Sequence, residues 1–139
     1  MSNENRVFKV ALDTNVLLMI ADGVRVFDHI EEELETKPEY LVITPVLTEL
    51  KKLAALGSTS LSRKASLALR AVELYCKVVD YPLLPGEKVD DALVRFASET
   101  GAIVATNDRE LRAKLRERGL SEIYLREESM RMRFEGPSF

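Results

Sequence analysis

Four carboxylates in this 139-residue chain stand at points where side chains do chemistry. Asp13 follows the apolar run Val7-Phe8-Lys9-Val10-Ala11-Leu12, and Glu49 lies one turn into the helical pattern that follows Thr44-Pro45. Asp91 follows Asp90 at the start of a third pattern, and Asp108 closes Thr106-Asn107-Asp108 behind Ile103-Val104-Ala105. In an open parallel sheet, ligands bind beyond the carboxyl ends of the strands, so acids at these positions gather along one edge. Two carboxylates roughly 4 Å apart repel by about 4 kcal/mol at an effective dielectric of about 20. A group of four therefore needs protons, a basic partner or a bound cation, and no Lys or Arg adjoins all four positions. A hard divalent cation such as Mg²⁺, which takes oxygen ligands and keeps waters, is the natural partner. Such a site suits phosphoryl chemistry, in which a metal activates water and stabilises the leaving oxygen. Thr14, Asn15, Thr106 and Asn107 could orient the carboxylates or waters.

Each acid also has a local explanation. Asp13 suits a helix cap, and Asp90 and Asp91 suit a helix amino terminus, where the macrodipole favours negative charge. Asn107 could cap with Glu110 three residues on, leaving Asp108 as a first-turn acid, and Glu49 could be an exposed helix residue. These explanations account for the acids singly but not for their arrival at one edge.

Other chemistries are restricted by composition. One histidine, His29, cannot form a catalytic histidine pair or a His-rich zinc site. One cysteine, Cys76, excludes an internal disulfide and a Cys-rich metal site. Twenty basic against twenty-three acidic residues give a net charge of −3, which argues against indiscriminate nucleic-acid binding. Setting the four acids aside leaves the rest of the chain at +1. Charge is also uneven: residues 22–40 carry a net −5 and residues 109–133 a net +3. This pattern fits either two solvated helix faces or an acidic back and a basic approach surface for a phosphate backbone. No apolar run approaches the ~20 residues of a membrane span, and no signal peptide is visible, so a cytoplasmic protein is expected.

Apolar runs of strand length alternate with helical patterns along the whole chain, which predicts one α/β domain over residues 1–139 with a mostly parallel sheet. Strands are expected near 7–12, 40–43, 78–80, 102–105 and 123–125. Helices are expected near 14–20, 24–35, from Thr44 to Gly57, at 61–76, 89–100 and 108–118. Thr44 reads as an N-cap with Pro45 as the first helical residue. Leu67, Ala71, Leu74 and Tyr75 lie at helical spacing in the long helix. Residues 127–139 read as a short polar tail, whose Met130, Met132, Phe134 and Phe139 could dock on the sheet or on a partner.

Four segments carry a resemblance that covers nearly the whole chain: VALDTNVLL at 10–18, TPVLTEL at 44–50, VDDALVRFA at 89–97 and IVATNDREL at 103–111. In this order and spacing the chain resembles PIN domains, the fold of VapC-type ribonucleases and FCF1-like ribosomal RNA endonucleases. IVATNDREL and RKASLALRAVEL at 63–74 look closer to archaeal FCF1-like chains. The resemblance implies a three-layer fold with a five-stranded parallel sheet of order 3-2-1-4-5 and helices on both faces. It also implies endonucleolytic RNA cleavage dependent on one or two Mg²⁺ or Mn²⁺ ions. Matched position by position, Asp13, Glu49, Asp91 and Asp108 are the catalytic and metal-binding acids, with Asp13 and Asp91 the main ligands. Asp90 becomes an extra acid beside them, and Asn15, Thr106 and Asn107 become supporting groups. Lys51, Lys52, Arg109 and Arg112 are candidates for RNA phosphate contacts.

The implied partners are single-stranded or locally unpaired RNA, an antitoxin protein or ribosome-assembly factors, and a second copy of the chain. A toxin role and a ribosomal RNA processing role both remain open here. The competing reading from another class is a non-catalytic RNA- or protein-binding module on the same fold. A phosphoryl-receiver domain is excluded by the lack of an acidic pair after the first strand. A haloacid-dehalogenase-type phosphatase is excluded because Asn15 stands where its second Asp is required.

Overall fold

The computed structural model describes residues 7–126 and 131–137. The elements run β1 (Lys9–Leu12), α1 (Thr14–Ala21), α2 (Val26–Leu34), β2 (Glu39–Ile43), α3 (Thr44–Ala54), α4 (Ser60–Tyr75), β3 (Lys77–Val79), α5 (Val89–Thr100), β4 (Ile103–Ala105), α6 (Arg109–Glu117), β5 (Glu122–Arg126) and β6 (Arg131–Glu135). The sheet order is β3-β2-β1-β4-β5-β6. Its first five strands are parallel, as expected, with Val10 of β1 opposite Tyr40 in β2 and Ile103 in β4. The central strands are nearly continuous apolar runs because helices cover both of their faces. Val10, Ala11, Leu12, Val42, Ile43, Val104 and Ala105 are all buried.

The sixth strand corrects the expected count of five. Part of the segment read as a polar tail returns antiparallel along β5, setting Phe134 opposite Ile123 and Met132 opposite Leu125. The sequence carried the reason: Arg131-Met132-Arg133-Phe134-Glu135 alternates charged and apolar residues at the period of a strand. Met132 is buried and Phe134 packs against the core. Met130 and Phe139 lie outside the described residues. β6 also joins the two segments of opposite charge. Arg131 pairs with Glu32 of α2, and the Phe134 backbone N–H donates to Glu33. At Arg131 and Glu32 the acidic and basic segments meet through a solvent-exposed ion pair.

Two helix details also differ from expectation. The N-cap of α3 is Ile43, with Thr44 already helical; the Thr44 hydroxyl instead accepts the Tyr81 backbone N–H at 3.0 Å. In α4, Leu67, Leu74 and Tyr75 are exposed, and the buried face is Ser62, Ala65, Ala68, Ala71 and Val72. Small side chains on that face let α4 lie close to α3, where the Ser62 hydroxyl donates to the Ala54 carbonyl at 2.7 Å.

Candidate active site

Asp13 is placed by the sheet itself. Its backbone N–H donates to the Ala105 carbonyl at 2.9 Å, tying the end of β1 to the end of β4. Its side chain caps α1, with Oδ1 accepting the Thr14 N–H at 2.8 Å. Oδ2 accepts the Thr106 hydroxyl at 2.7 Å and the Asn15 amide at 3.2 Å. The cap and the site therefore share one carboxylate, and the local explanation and the functional one coexist.

The turn after β4 extends this network. The Thr106 hydroxyl accepts the Asp108 N–H at 3.1 Å, and the Asn107 N–H donates to Asn15 Oδ1 at 3.0 Å. Asn107 Oδ1 accepts the Leu125 N–H at 2.8 Å, which fixes the turn to β5. The cap of α6 is Asp108 rather than Asn107. Its Oδ1 accepts the N–H groups of Glu110 and Leu111 at 2.9 and 3.2 Å, leaving the second oxygen for the pocket. Glu49 is held by the Thr14 hydroxyl, which donates to Oε1 at 2.5 Å.

Asp13, Glu49, Asp90 and Asp108 line one open pocket of about 450 Å³, together with Thr14, Asn15, Leu18, Lys52 and Leu53. Asp91, expected as a main ligand, is not among its walls. It turns towards α6 and accepts Lys114 Nζ at 3.1 Å. Asp90, expected as the accessory acid, takes the inward place. Consecutive helix residues point about 100° apart, so only one of the pair can face the pocket. The apolar stripe of α5 already indicated which one. At this pitch Asp90 lies roughly 75° from the centre of Val89, Leu93, Phe96 and Ala97, and Asp91 roughly 175°.

The expected RNA contacts separate in the same way. Lys52 lines the pocket, whereas Lys51 is exposed outside it. Arg109 is exposed at the start of α6. Arg112 is already engaged: its Nε reaches Glu122 Oε1 at 2.5 Å and its guanidinium lies 3.5 Å from the centre of the Tyr124 ring. The pocket walls Leu18 and Leu53 were not among the candidate site residues. Each lies four residues beyond a pocket residue, Thr14 and Glu49, which is the signal that would have found them. Lys114 carried no such signal, because its partner is on another helix.

The electrostatics fit an oxygen-ligated cation. Burial, opposed by the Thr106 and Thr14 hydrogen bonds and reinforced by Asp90 and Glu49, pushes the Asp13 carboxyl up to about 6. Burial first, then Asp108, raises Asp90, and Lys114 opposes that rise. Among the described residues, no three Asp, Glu, His or Cys side chains converge closely enough to ligate one ion together. The donor set is thus all oxygen, acid-rich and loosely spaced. It matches Mg²⁺ or Mn²⁺ held by one or two carboxylates with waters completing the shell.

Comparison with known proteins identifies the family. A family model described as a PIN like domain matches residues 10–128. The chain belongs to the PIN-like domain family. It is 35% identical over 127 residues to Ribonuclease VapC4 of Methanocaldococcus jannaschii, covering 87% of this chain and 92% of that protein. The fold is similar to that of the PIN domain endonuclease Utp24, with a TM-score of 0.74, 22% identity and 93% and 92% of the two chains covered. It is also similar to a domain of a functionally unknown protein from M. jannaschii, with a TM-score of 0.64, 25% identity and 86% and 92% covered. Among the described residues no helix is long and apolar enough to cross a membrane.

Proposed function

We propose that the protein is a divalent-metal-dependent endoribonuclease. The carrying observation is the convergence of Asp13, Glu49, Asp90 and Asp108 on one pocket at the carboxyl edge of a PIN-like sheet. The relative named as a ribonuclease supports RNA as the substrate. Asp13 and Asp90, the pocket acids whose carboxyls are raised, would hold the ion. Asp108 and Glu49 would orient water beside it, and the cap on Asp108 and the Thr14 bond to Glu49 keep both side chains in place. Thr106 and Asn15 fix the direction of the Asp13 carboxylate. When bound, Mg²⁺ or Mn²⁺ supplies activation of the attacking water and charge stabilisation at the leaving oxygen. In this reading Lys52, a pocket wall, and the exposed Arg109 would contact the RNA backbone. Asp91 takes no direct part in this reading.

Within this reading, similarity to a VapC ribonuclease favours a VapC-type toxin restrained by an antitoxin over FCF1-like ribosomal RNA processing, and a cytoplasmic homodimer completes the proposal. The test is cleavage of a mixed pool of single-stranded and structured labelled RNAs in Mg²⁺, Mn²⁺ and EDTA, with Asp13→Asn and Asp90→Asn purified alongside. Internal cuts that vanish in EDTA and in both variants are expected. Equal activity in wild type and variants would overturn the assignment. RNA binding in EDTA without cleavage in either metal would favour the binding module.

A further inference from the structure

The sequence Asp90-Asp91 splits its two carboxylates between two neighbouring spaces. Asp90 lines the candidate active site, whereas Asp91 lines a second, polar cleft of about 550 Å³ between α5 and α6. Across that cleft Asp91 meets Lys114 at 3.1 Å. Charged residues such as Arg95, Glu117 and Arg118 line the cleft around the pair, with Val94 as an apolar wall at its base. The bridge ties the first turn of α5, which carries Asp90, to α6, the helix that Asp108 caps. Asp108 and Lys114 also act on Asp90 with opposite sign, so the three groups lie within electrostatic reach of one another.

We infer that the Asp91–Lys114 bridge is a positioning device that holds Asp90 and Asp108 at the spacing a divalent cation requires. This inference rests on the proposed metal site and deepens it. Asp91 is a positioning residue here, not a ligand. Both side chains are about half exposed, at 48% and 41%. Exposed ion pairs are weak, so the effect on the site should be modest and the fold should survive loss of the bridge.

The test is Mn²⁺ titration of the purified, RNA-free protein by calorimetry. It compares wild type with Asp91→Asn, Lys114→Met, the double variant and Lys114→Arg, and circular dichroism checks the fold. Steady-state cleavage is measured in parallel at saturating Mn²⁺. The bridge predicts a two- to fivefold weaker Mn²⁺ affinity in each single variant. The double variant should be no worse than either single, because both remove the same contact. Lys114→Arg should restore affinity, and KM for RNA should not move in any variant.

Three results would overturn the inference. Abolished Mn²⁺ binding in Asp91→Asn alone would make Asp91 a ligand. Tighter binding in Lys114→Met would make Lys114 only a repelling charge. Unchanged affinity in all four variants would make the bridge irrelevant to the site. In each of these cases wild type still binds metal and the proposed function stands. A wild type that neither binds Mn²⁺ nor cleaves RNA would bring down both.

Discussion

Asp13 and Glu122 are the two buried acids among the described residues, and their surroundings are opposite. Glu122, at the start of β5, is fully enclosed and faces two arginines, with Arg112 Nε at 2.5 Å and Arg116 Nε at 3.3 Å. Arg112 is itself seated on the Tyr124 ring. Asp13, at the end of β1, is nearly as buried but receives only a hydroxyl, an amide and one backbone N–H, and the charges acting on it are acids. A buried carboxylate with a structural task comes with its cations. One left beside other carboxylates retains a demand for positive charge that the protein does not meet, and a metal ion together with a phosphate-binding surface can meet it. Environment, rather than burial, separates the two roles.

The largest expected effect breaks the comparison at Asp13. Asp13→Asn should lower RNA cleavage in Mn²⁺ by at least about a hundredfold, on the order of 3 kcal/mol of transition-state stabilisation. Circular dichroism should show the fold retained. Arg112→Leu should show the converse. Removing one member of a buried pair costs about 3–5 kcal/mol in general. Here Arg116 remains near Glu122, so a loss of about 3 kcal/mol in urea unfolding is expected, with Mn²⁺ affinity unchanged. Weakened RNA binding at unchanged stability would instead return Arg112 to the phosphate-contacting role that its sequence position suggested.

Titration sharpens the same contrast. The folded Asp13 carboxyl is raised to about 6 from an ordinary 3.8. The native state therefore holds a proton that the unfolded chain gives up between these values. In EDTA the contribution of Asp13 to stability is fully present below about pH 4 and is lost as pH rises through 6. A two-unit shift corresponds to about 3 kcal/mol. Urea unfolding from pH 4.5 to 7.5 should carry this downward slope in wild type, and the slope should be missing in Asp13→Asn. Saturating Mn²⁺ should flatten it in wild type, because the ion takes the proton's place. A wild-type slope that persists in Asp13→Asn would mean that other groups govern stability in this range.

How far these roles could be read from sequence depends on which physical constraint fixes each residue. The positions of Asp13 and Asp108 at the sheet edge were legible because strand ends in a parallel sheet fall on one edge, and the apolar runs before them mark those ends. Asp90 rather than Asp91 lines the pocket because the stripe of Val89, Leu93, Phe96 and Ala97 fixes the rotation of α5, a constraint that the family pattern does not carry. β6 was missed because charged residues in 127–139 masked a period-two pattern whose apolar side needs β5 and α2 to bury it. The exposure of Leu67, Leu74 and Tyr75 was hidden for another reason. Apolar spacing finds a helical stripe but does not distinguish it from a face built of Ala65, Ala68 and Ala71, whose small side chains pack closer. Arg112 and Lys114 were illegible in their roles because each is defined by a partner that only the tertiary fold brings near.

The smallest effect tests whether the surface beside Asp13 completes the charge that its interior lacks. Lys52 lines the pocket and its neighbour Lys51 does not, although both lie in the last turn of α3 and carry the same charge. Long-range attraction alone would make the two lysines equivalent, because at physiological salt the Debye length is about 8 Å and both lie on one helix turn. A direct phosphate contact separates them. Lys52→Ala should raise KM for RNA about three- to fivefold and shallow the salt dependence of binding by about 0.7, the slope expected for one single-strand phosphate contact. kcat should be left nearly unchanged. Lys51→Ala should change neither KM nor slope by more than about a third of those amounts. Equal losses in both variants would mean that α3 contributes only diffuse attraction, and the cation demand of the site would then fall on the metal alone.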